Sequence, residues 1–408
     1  MAEFYEMGQE EFNIKNKKVL VRIDLNSPVD PNRQIHLNMR FIGHKKTLVE
    51  LDESSTVLMA HQGRPGMQNF LPLEQHATIL SKMIGKEVVY VDDNFGSRAI
   101  ESIKHMDKGD IILLENTRHY AGEMLDRSQK EHSRDHMIMK LSKLFDLYIN
   151  DAFAVSHRSH LTVTGFALSL KSGSGLLFSN EIAQLNRVLI ENNHPCVIFL
   201  AGANVEDSLN LIKNVLDNRI ADKILTAGQV GLIFLIASGV DVSNTNKEFL
   251  ANPECLAQLG KARMLLQTYP EKILFPLDLA LDFNGDRIEC PVSQMKNYRA
   301  FDLGSTTIDI YSTILKESEI SIINGVPGRF NWLRFSKGTQ ILLEAATKAN
   351  FSLACAGSGY TIEAIDHYGL APNFTHVSTG GTSSLIYLSG GVLPGLDALK
   401  ESYIKFNL

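Results

Sequence analysis

Three arginines in the first half of this chain, Arg64, Arg118 and Arg158, each stand a few residues past a short apolar run, and Arg40 follows the first such run. Guanidinium groups fork onto carboxylate or phosphate oxygens in bidentate fashion, and several converging forks suit a small polyanion. His61, His157, Asp24 and Asn26 lie nearby in the same loops. One arginine after a strand says little, because loops are polar by default. Four in one half point to a phosphorylated or carboxylated ligand.

The second half has glycines and small polar residues at the corresponding places. Gly202-Ala203-Asn204, Ala227-Gly228-Gln229, Asn324-Gly325-Val326-Pro327-Gly328, Gly357-Ser358-Gly359-Tyr360-Thr361 and Ser378-Thr379-Gly380-Gly381 each close an apolar run. Such loops let backbone N–H groups approach phosphate, helped by the positive end of a following helix. Alone, Gly357-x-Gly359 is as often a tight turn. Together, the two halves suggest one anion held by arginines and another by backbone. That is a layout for phosphoryl transfer, which asks the protein mainly for positioning and charge stabilisation.

The elements that must position these groups are legible. Val19-Leu20-Val21-Arg22-Ile23, Thr56-Val57-Leu58-Met59-Ala60, Ile111-Ile112-Leu113-Leu114 and Leu147-Tyr148-Ile149-Asn150 read as strands. Helix-like stretches at 73–84 and 132–144 separate them. The second half repeats this alternation with strands near 197–200, 224–226, 321–323, 351–354 and 376–377. The fold class is therefore α/β, with two doubly wound parallel sheets carrying ligands beyond their carboxyl ends. The small-residue cluster at 171–175 marks a boundary, and a helix-like run at 176–192 makes a stiff connector.

A chain of 408 residues is too long for one ordinary core, so two domains are expected. With 44% hydrophobic and 21% charged residues the composition is globular, and a net charge of −6 argues against coating nucleic acid. Cys196, Cys255, Cys290 and Cys355 form no C-x-x-C pair, hence neither a disulfide framework nor a zinc pattern. The acidic opening Met1-Ala2-Glu3-Phe4-Tyr5-Glu6 is no signal peptide, and the apolar run 230–237 is too short to span a bilayer. The chain reads as cytoplasmic, with no membrane partner.

These residues resemble phosphoglycerate kinase almost end to end. Val21-Arg22-Ile23-Asp24-Leu25-Asn26-Ser27-Pro28 looks like its first substrate loop in archaeal form. His61-Gln62-Gly63-Arg64-Pro65, Leu114-Glu115-Asn116-Thr117-Arg118 and Asn150-Asp151-Ala152-Phe153 through His157-Arg158 look like the next three. Asn324-Gly325, the stretch 351–361 and His376-Val377-Ser378-Thr379-Gly380-Gly381 are similar to its carboxy-terminal motifs. The resemblance implies a glycerate-binding domain at 1–172, with the tail 394–408 packing back on it, and a nucleotide-binding domain at 173–393. It implies reversible transfer between 1,3-bisphosphoglycerate and Mg-ADP, giving 3-phosphoglycerate and Mg-ATP. Asp24, Asn26, Arg40, His61, Arg64, Arg118, His157 and Arg158 would hold the glycerate. Arg40, with the backbone of Gly380 and Gly381, would stabilise the transferring group. Gly202, Asn204, Asn324, Arg329, Asn331, Gly357, Ser358, Gly359, Tyr360 and Thr361 would line the nucleotide. No protein ligand to Mg2+ is assigned, and a monomer is expected, with a dimer left open.

The departures from the family fall on the nucleotide side. Its phosphate-binding lysine is Asn204 here, its ribose-binding glutamate is Asn331, and its aspartate near the metal is Tyr360. The last glycine of its triple run is Thr382, and Arg329 stands where an apolar residue is usual. Three readings follow: drift within an active lineage, with Arg329 or Lys337 supplying the lost charge; a changed phosphoryl donor; or a non-catalytic relative that binds a phosphorylated acid.

Overall fold

Near-continuous Val, Ile and Leu runs suit strands buried on both faces, and the runs of the first half fold in this way. The computed structural model describes residues 4–190, 193–202, 204–355 and 359–407. Seven strands, β1 (Tyr5–Glu6), β2 (Lys18–Arg22), β3 (Ser55–Met59), β4 (Val89–Val91), β5 (Ile111–Leu114), β6 (Leu147–Asn150) and β7 (Lys171–Ser174), form one sheet in the order β1-β7-β6-β2-β3-β5-β4. All its pairings are parallel. Side chains alternate across it. Val21, Leu58, Leu113 and Ile149 pack on one face with Phe41 and Leu48, while Leu20, Val57, Ile112 and Tyr148 pack on the other with Ile138, Leu161 and Phe166. β2 sits between β3 and β6, so the strand order reverses there. The loops after β2 and β6 leave a crevice at the carboxyl end, where ligands bind in such sheets.

The second half contains β8 (Cys196–Leu200), β9 (Lys223–Thr226), β10 (Ile273–Leu274), β11 (Asp278–Phe283), β12 (Asp286–Pro291), β13 (Ala300–Leu303), β14 (Ile320–Asn324), β15 (Phe351–Cys355) and β16 (His376–Ser378). Six of them make a parallel sheet, β10-β9-β8-β14-β15-β16, whose order reverses between β8 and β14. The other three make a small antiparallel sheet, β12-β11-β13, which the sequence reading did not include. Its signal was the Asn284-Gly285 pair, with φ of +52° and +88°, between two alternating stretches.

Two helix expectations fare differently. The helix Glu74–Ile84 forms close to the expected bounds and stops at Gly85, whose φ of +71° suits a residue without Cβ. The expected run at 132–144 is broken. One helix ends at His132, and Asp135 then caps a new one, His136–Leu141, by accepting from the Met137 N–H at 2.9 Å.

Contacts divide the chain into a first unit, Met1–Ala183 with Val392–Leu408, and a second, Gln184–Gly391. The division falls inside the helix Leu176–Ile190, whereas the sequence reading put it before that helix. The last helix, Pro394–Asn407, lies on the first unit, where Ser402 Oγ accepts the Ser172 N–H at 3.0 Å.

Candidate active site

The crevice after β2 is built around a buried arginine. Arg22, the last residue of β2, is fully buried, and its Nη1 donates to Thr117 Oγ1 at 3.2 Å. Glu123, also fully buried, lies 3.8 Å away as its counter-charge and accepts from the backbone and hydroxyl of Thr162. Arg22 Nη2 lies 3.0 Å from His61 Nδ1. A guanidinium only donates, so Nδ1 accepts and the ring proton sits on Nε2. Burial, then Arg22 and Arg118, hold the His61 pKa well below its ordinary value, so the ring is neutral.

Around this frame stand the residues read from the sequence. Asp24 is buried, with its carboxylate paired to Arg40. Arg40 opens the helix Met39–Glu50, with its own N–H capped by Asn38 at 3.0 Å, and its side chain is one-third exposed. Asn26 Oδ1 accepts the Gly63 N–H at 2.9 Å, joining the loops after β2 and β3. Gly63 is required there: its φ is +67°, and a Cβ would lie 2.1 Å from the Asn69 carbonyl oxygen. Arg118 sits in a turn capped by Asn116, whose side chain accepts the Arg118 N–H at 3.1 Å. Only 5% of Arg118 is exposed. One of its nitrogens donates to the Gly63 carbonyl, and its Nε has no partner. Arg158 Nε donates to His157 Nε2 at 3.0 Å. Arg64 is exposed.

The electrostatics bring these groups together. The Arg118 pKa is lowered to about 10 by burial and by Arg158, Arg22 and Arg64. Arg158 is lowered by burial and Arg64. His157 falls to about 4 through burial and Arg158; His160 falls to about 3 through burial, Arg22, Arg118 and Arg158. Four guanidinium groups thus repel one another across one small volume, and a bound polyanion relieves that repulsion. Sequence reasoning gave no site role to Arg22, Glu123 or His160. The available signal was a charged residue, Arg22, within the otherwise apolar run Val19–Ile23, which marks it as unusual without showing its partner.

In the second unit the ends of β8 and β14 meet. Gly325, with φ of +95°, lies so close to Ala201 that a Cβ would come within 2.0 Å of its carbonyl oxygen, and its N–H donates to Thr361 Oγ1 at 2.9 Å. Asn324 is buried, with its Oδ1 unpartnered. Gly359 opens the helix Gly359–His367, on which Tyr360 is exposed; Gly357 and Ser358 lie outside the described residues. The Gly380 N–H donates to Ser378 Oγ at 3.1 Å, and Gly381, with φ of +57°, precedes the helix Thr382–Leu388. Beyond β9, a cavity of about 430 Å³ is lined by Gly228, Gln229, Asn246, Phe249 and the Glu248–Arg299 ion pair, among others.

Residues 9–391 match the family model for phosphoglycerate kinase. The chain is 42% identical to phosphoglycerate kinase 1 of Methanosarcina acetivorans over 97% of its length and 96% of that protein. It is 40% identical to the phosphoglycerate kinase of Methanothermus fervidus, covering 98% of each. The chain belongs to the phosphoglycerate kinase family. The fold agrees: the crystal structure of phosphoglycerate kinase from Pyrococcus horikoshii superposes with a TM-score of 0.91 at 35% identity, covering 97% of this chain and 99% of that one. As a phosphoglycerate kinase, the chain is a phosphotransferase of a family that works with Mg-nucleotide.

Two of the residues read as departures from the family pattern, Asn204 and Arg329, have partners within the second unit. Asn204, at the lysine position, is the N-cap of the helix Val205–Asp217. Its Oδ1 accepts the Asp207 N–H at 3.4 Å and its Nδ2 donates to the Asp207 carboxylate, so the amide is committed to the helix. Glu206 and Asp207 make this first turn acidic. Arg329 lays its guanidinium over Phe301 at 4.3 Å and over Trp332 at 4.6 Å. Lys337 Nζ donates to Ser305 Oγ at 3.0 Å, and Asn331 is exposed. Among the described residues no helix is long and apolar enough to cross a membrane, and no three His, Cys, Asp or Glu side chains form a metal-binding group.

Proposed function

We propose that this phosphoglycerate kinase moves a phosphoryl group between 1,3-bisphosphoglycerate and Mg-ADP, reversibly giving 3-phosphoglycerate and Mg-ATP, with the acid on the first unit and the nucleotide on the second. Mg2+ enters as part of the nucleotide substrate. The observation that carries the reading is Arg118: buried, crowded by Arg158, Arg22 and Arg64, with an unpartnered Nε. Arg64, Arg118 and Arg158 fork onto the phosphate and carboxylate oxygens, neutral His61 donates a hydrogen bond through Nε2 without adding charge, and His157 holds Arg158 in place by accepting from its Nε. Asp24 and Asn26 receive the hydroxyl. Arg40 exchanges its pairing with Asp24 for the carboxylate of the bound acid, and from there reaches the transferring phosphoryl oxygens, where charge spreads in the transition state. On the nucleotide side, Gly202, Asn324, Gly359 and Thr361 bring backbone and hydroxyl groups to the phosphates. Gly380 and Gly381 present backbone to the transferring group, and the cavity beyond β9 takes the base. Arg329 supplies the cation that Asn204 does not.

A second reading, a relative that binds a phosphorylated acid without turnover or uses another donor, is favoured by one observation. The Asn204 amide is bound to Asp207 in an acidic helix turn, an environment that repels phosphate. Assay of the purified protein with 3-phosphoglycerate and a panel of nucleoside triphosphates separates the two. Turnover with ATP supports the first reading; binding of 3-phosphoglycerate with no turnover from any donor replaces it with the second.

A further inference from the structure

Arg40 and His44 stand one turn apart on the helix Met39–Glu50, and both reach Asp24. Arg40 takes the carboxylate. His44, whose side chain is 1% exposed, takes the backbone: the Asp24 N–H donates to its Nε2 at 3.0 Å. Nε2 also lies 3.2 Å from the Asp24 carbonyl oxygen. The shorter contact decides, because it satisfies a buried N–H that is costly to leave unpaired. The ring proton is then on Nδ1, which donates to Asp151 Oδ2 at 2.7 Å.

Asp151, fully buried, passes the connection on. Its Oδ1 accepts the N–H groups of Leu177 at 2.9 Å and Phe178 at 3.2 Å, in the first turn of the helix Leu176–Ile190. Gly175 permits this approach, since a Cβ there would lie 2.2 Å from Asp151 Oδ1. Thr47, on the same helix as His44, accepts the Leu176 N–H at 3.1 Å. The first amides of the helix by which the chain leaves its first unit are therefore held by side chains tied to the Asp24–Arg40 pair.

We propose that His44 is a positioning residue, coupling the geometry of the Asp24–Arg40 pair to the N-terminus of the helix Leu176–Ile190. The proposal rests on reading the arginine cluster as the 3-phosphoglycerate site. When substrate draws Arg40 off Asp24, the Asp24 backbone and the His44 ring shift together, and Asp151 carries the change to the Leu177 and Phe178 amides. Linkage makes the coupling reciprocal: ordering this helix turn favours the substrate-bound arrangement of Asp24 and Arg40.

Amide hydrogen exchange on the full chain, with and without saturating 3-phosphoglycerate, tests this. In the wild type the ligand is expected to slow exchange at Leu177 and Phe178 several-fold. His44→Phe keeps the ring volume but can neither accept nor donate. It is expected to bind 3-phosphoglycerate within about threefold of wild type, to lose the ligand-dependent change at both amides, and to turn over roughly tenfold more slowly, as a misplaced arginine would. His44→Gln, whose amide both accepts and donates, is expected to restore the exchange response and most of the turnover. Wild-type amides indifferent to bound 3-phosphoglycerate overturn the proposal, even if His44→Phe does not fold. So does a His44→Phe protein that keeps the ligand response and loses only thermal stability. A wild type that does not bind 3-phosphoglycerate removes the site reading itself, and the proposal with it.

Discussion

Replacing Arg118 with methionine should make the unliganded protein more stable and the enzyme worse. Arg118 is 5% exposed as a residue, and burial together with crowding by three other arginines lowers its pKa from 12.5 to about 10. Each tenfold loss of proton affinity corresponds to ~1.4 kcal/mol, so keeping the charge there costs about 3 kcal/mol. The hydrogen bond to the Gly63 carbonyl returns ~1 kcal/mol, and solvent screening at the site's outer edge removes part of the rest. Arg118→Met, which keeps an apolar stem in the same space, should therefore stabilise the apo protein by about 1 kcal/mol, or ~2–4 °C for a domain of this size. Binding moves the other way. Losing one charge-assisted fork costs ~1.5–3 kcal/mol, so 3-phosphoglycerate should bind roughly 10- to 150-fold more weakly. Differential scanning calorimetry without ligand and titration calorimetry with it measure both quantities on one preparation. An apo variant that melts below the wild type, or one that binds 3-phosphoglycerate as tightly, refutes the account of the cluster as a set of repelling cations awaiting an anion.

Arg40→Ala should lower kcat at least a hundredfold while changing 3-phosphoglycerate affinity little, because Arg40 is paired with Asp24 before substrate arrives; comparable losses in both by steady-state kinetics and calorimetry would contradict that role. His157 and His160, with pKa values of about 4 and 3 in the fold, take up protons near pH ~6.5 once unfolded. Their stabilising contribution is therefore complete above that pH and is lost as the pH falls toward 4 and 3, at up to ~1.4 kcal/mol per pH unit each, less for the partly exposed His157. Urea midpoints that stay constant from pH 7.5 to 5 would contradict this. Trp332 is the chain's one tryptophan and lies under Arg329, so nucleotide that draws Arg329 to a phosphate should change its fluorescence. The change should vanish in Arg329→Ala, together with most of the turnover; identical quenching in that variant would show that Arg329 stays on its aromatic shelf.

The parts legible in the sequence were those in which residue type and position along a strand coincide. Arg118 and Arg158 follow strands whose apolar runs are unambiguous, so their convergence followed from the topology of a parallel sheet. Arg22 was not legible as a site residue, because nothing local tells that a strand-end arginine turns inward to pair with Glu123, far away in sequence. The β11–β13 sheet was missed although Asn284-Gly285 advertised its hairpin. Asn204 reads in the sequence as a nucleotide-lining residue in place of a lysine. The pattern Asn204-Val205-Glu206-Asp207 is equally a helix start, an N-cap followed by acidic residues, and that is how the chain uses it. His44 lay on an unremarked helix, and only tertiary structure brings Asp24 and Asp151 to its two nitrogens.

The helix Pro394–Asn407 has a consequence for how the chain is made. Tyr5 Oη donates to Asn407 Oδ1 at 2.6 Å, so the first strand and the last helix are neighbours, and residues 184–391 are an insertion between them. On the ribosome, the first unit cannot be completed until the helix Pro394–Asn407 has been made, whereas the inserted unit has its whole sequence available earlier. Vectorial synthesis usually lets the N-terminal domain fold first; here the order should invert, with the opening residues held in waiting. The same adjacency makes the neighbourhood of Tyr5 and Asn407 a place to splice. A short Gly/Ser bridge between them, with new ends cut in an exposed loop of residues 184–391, should yield a circularly permuted chain that still folds.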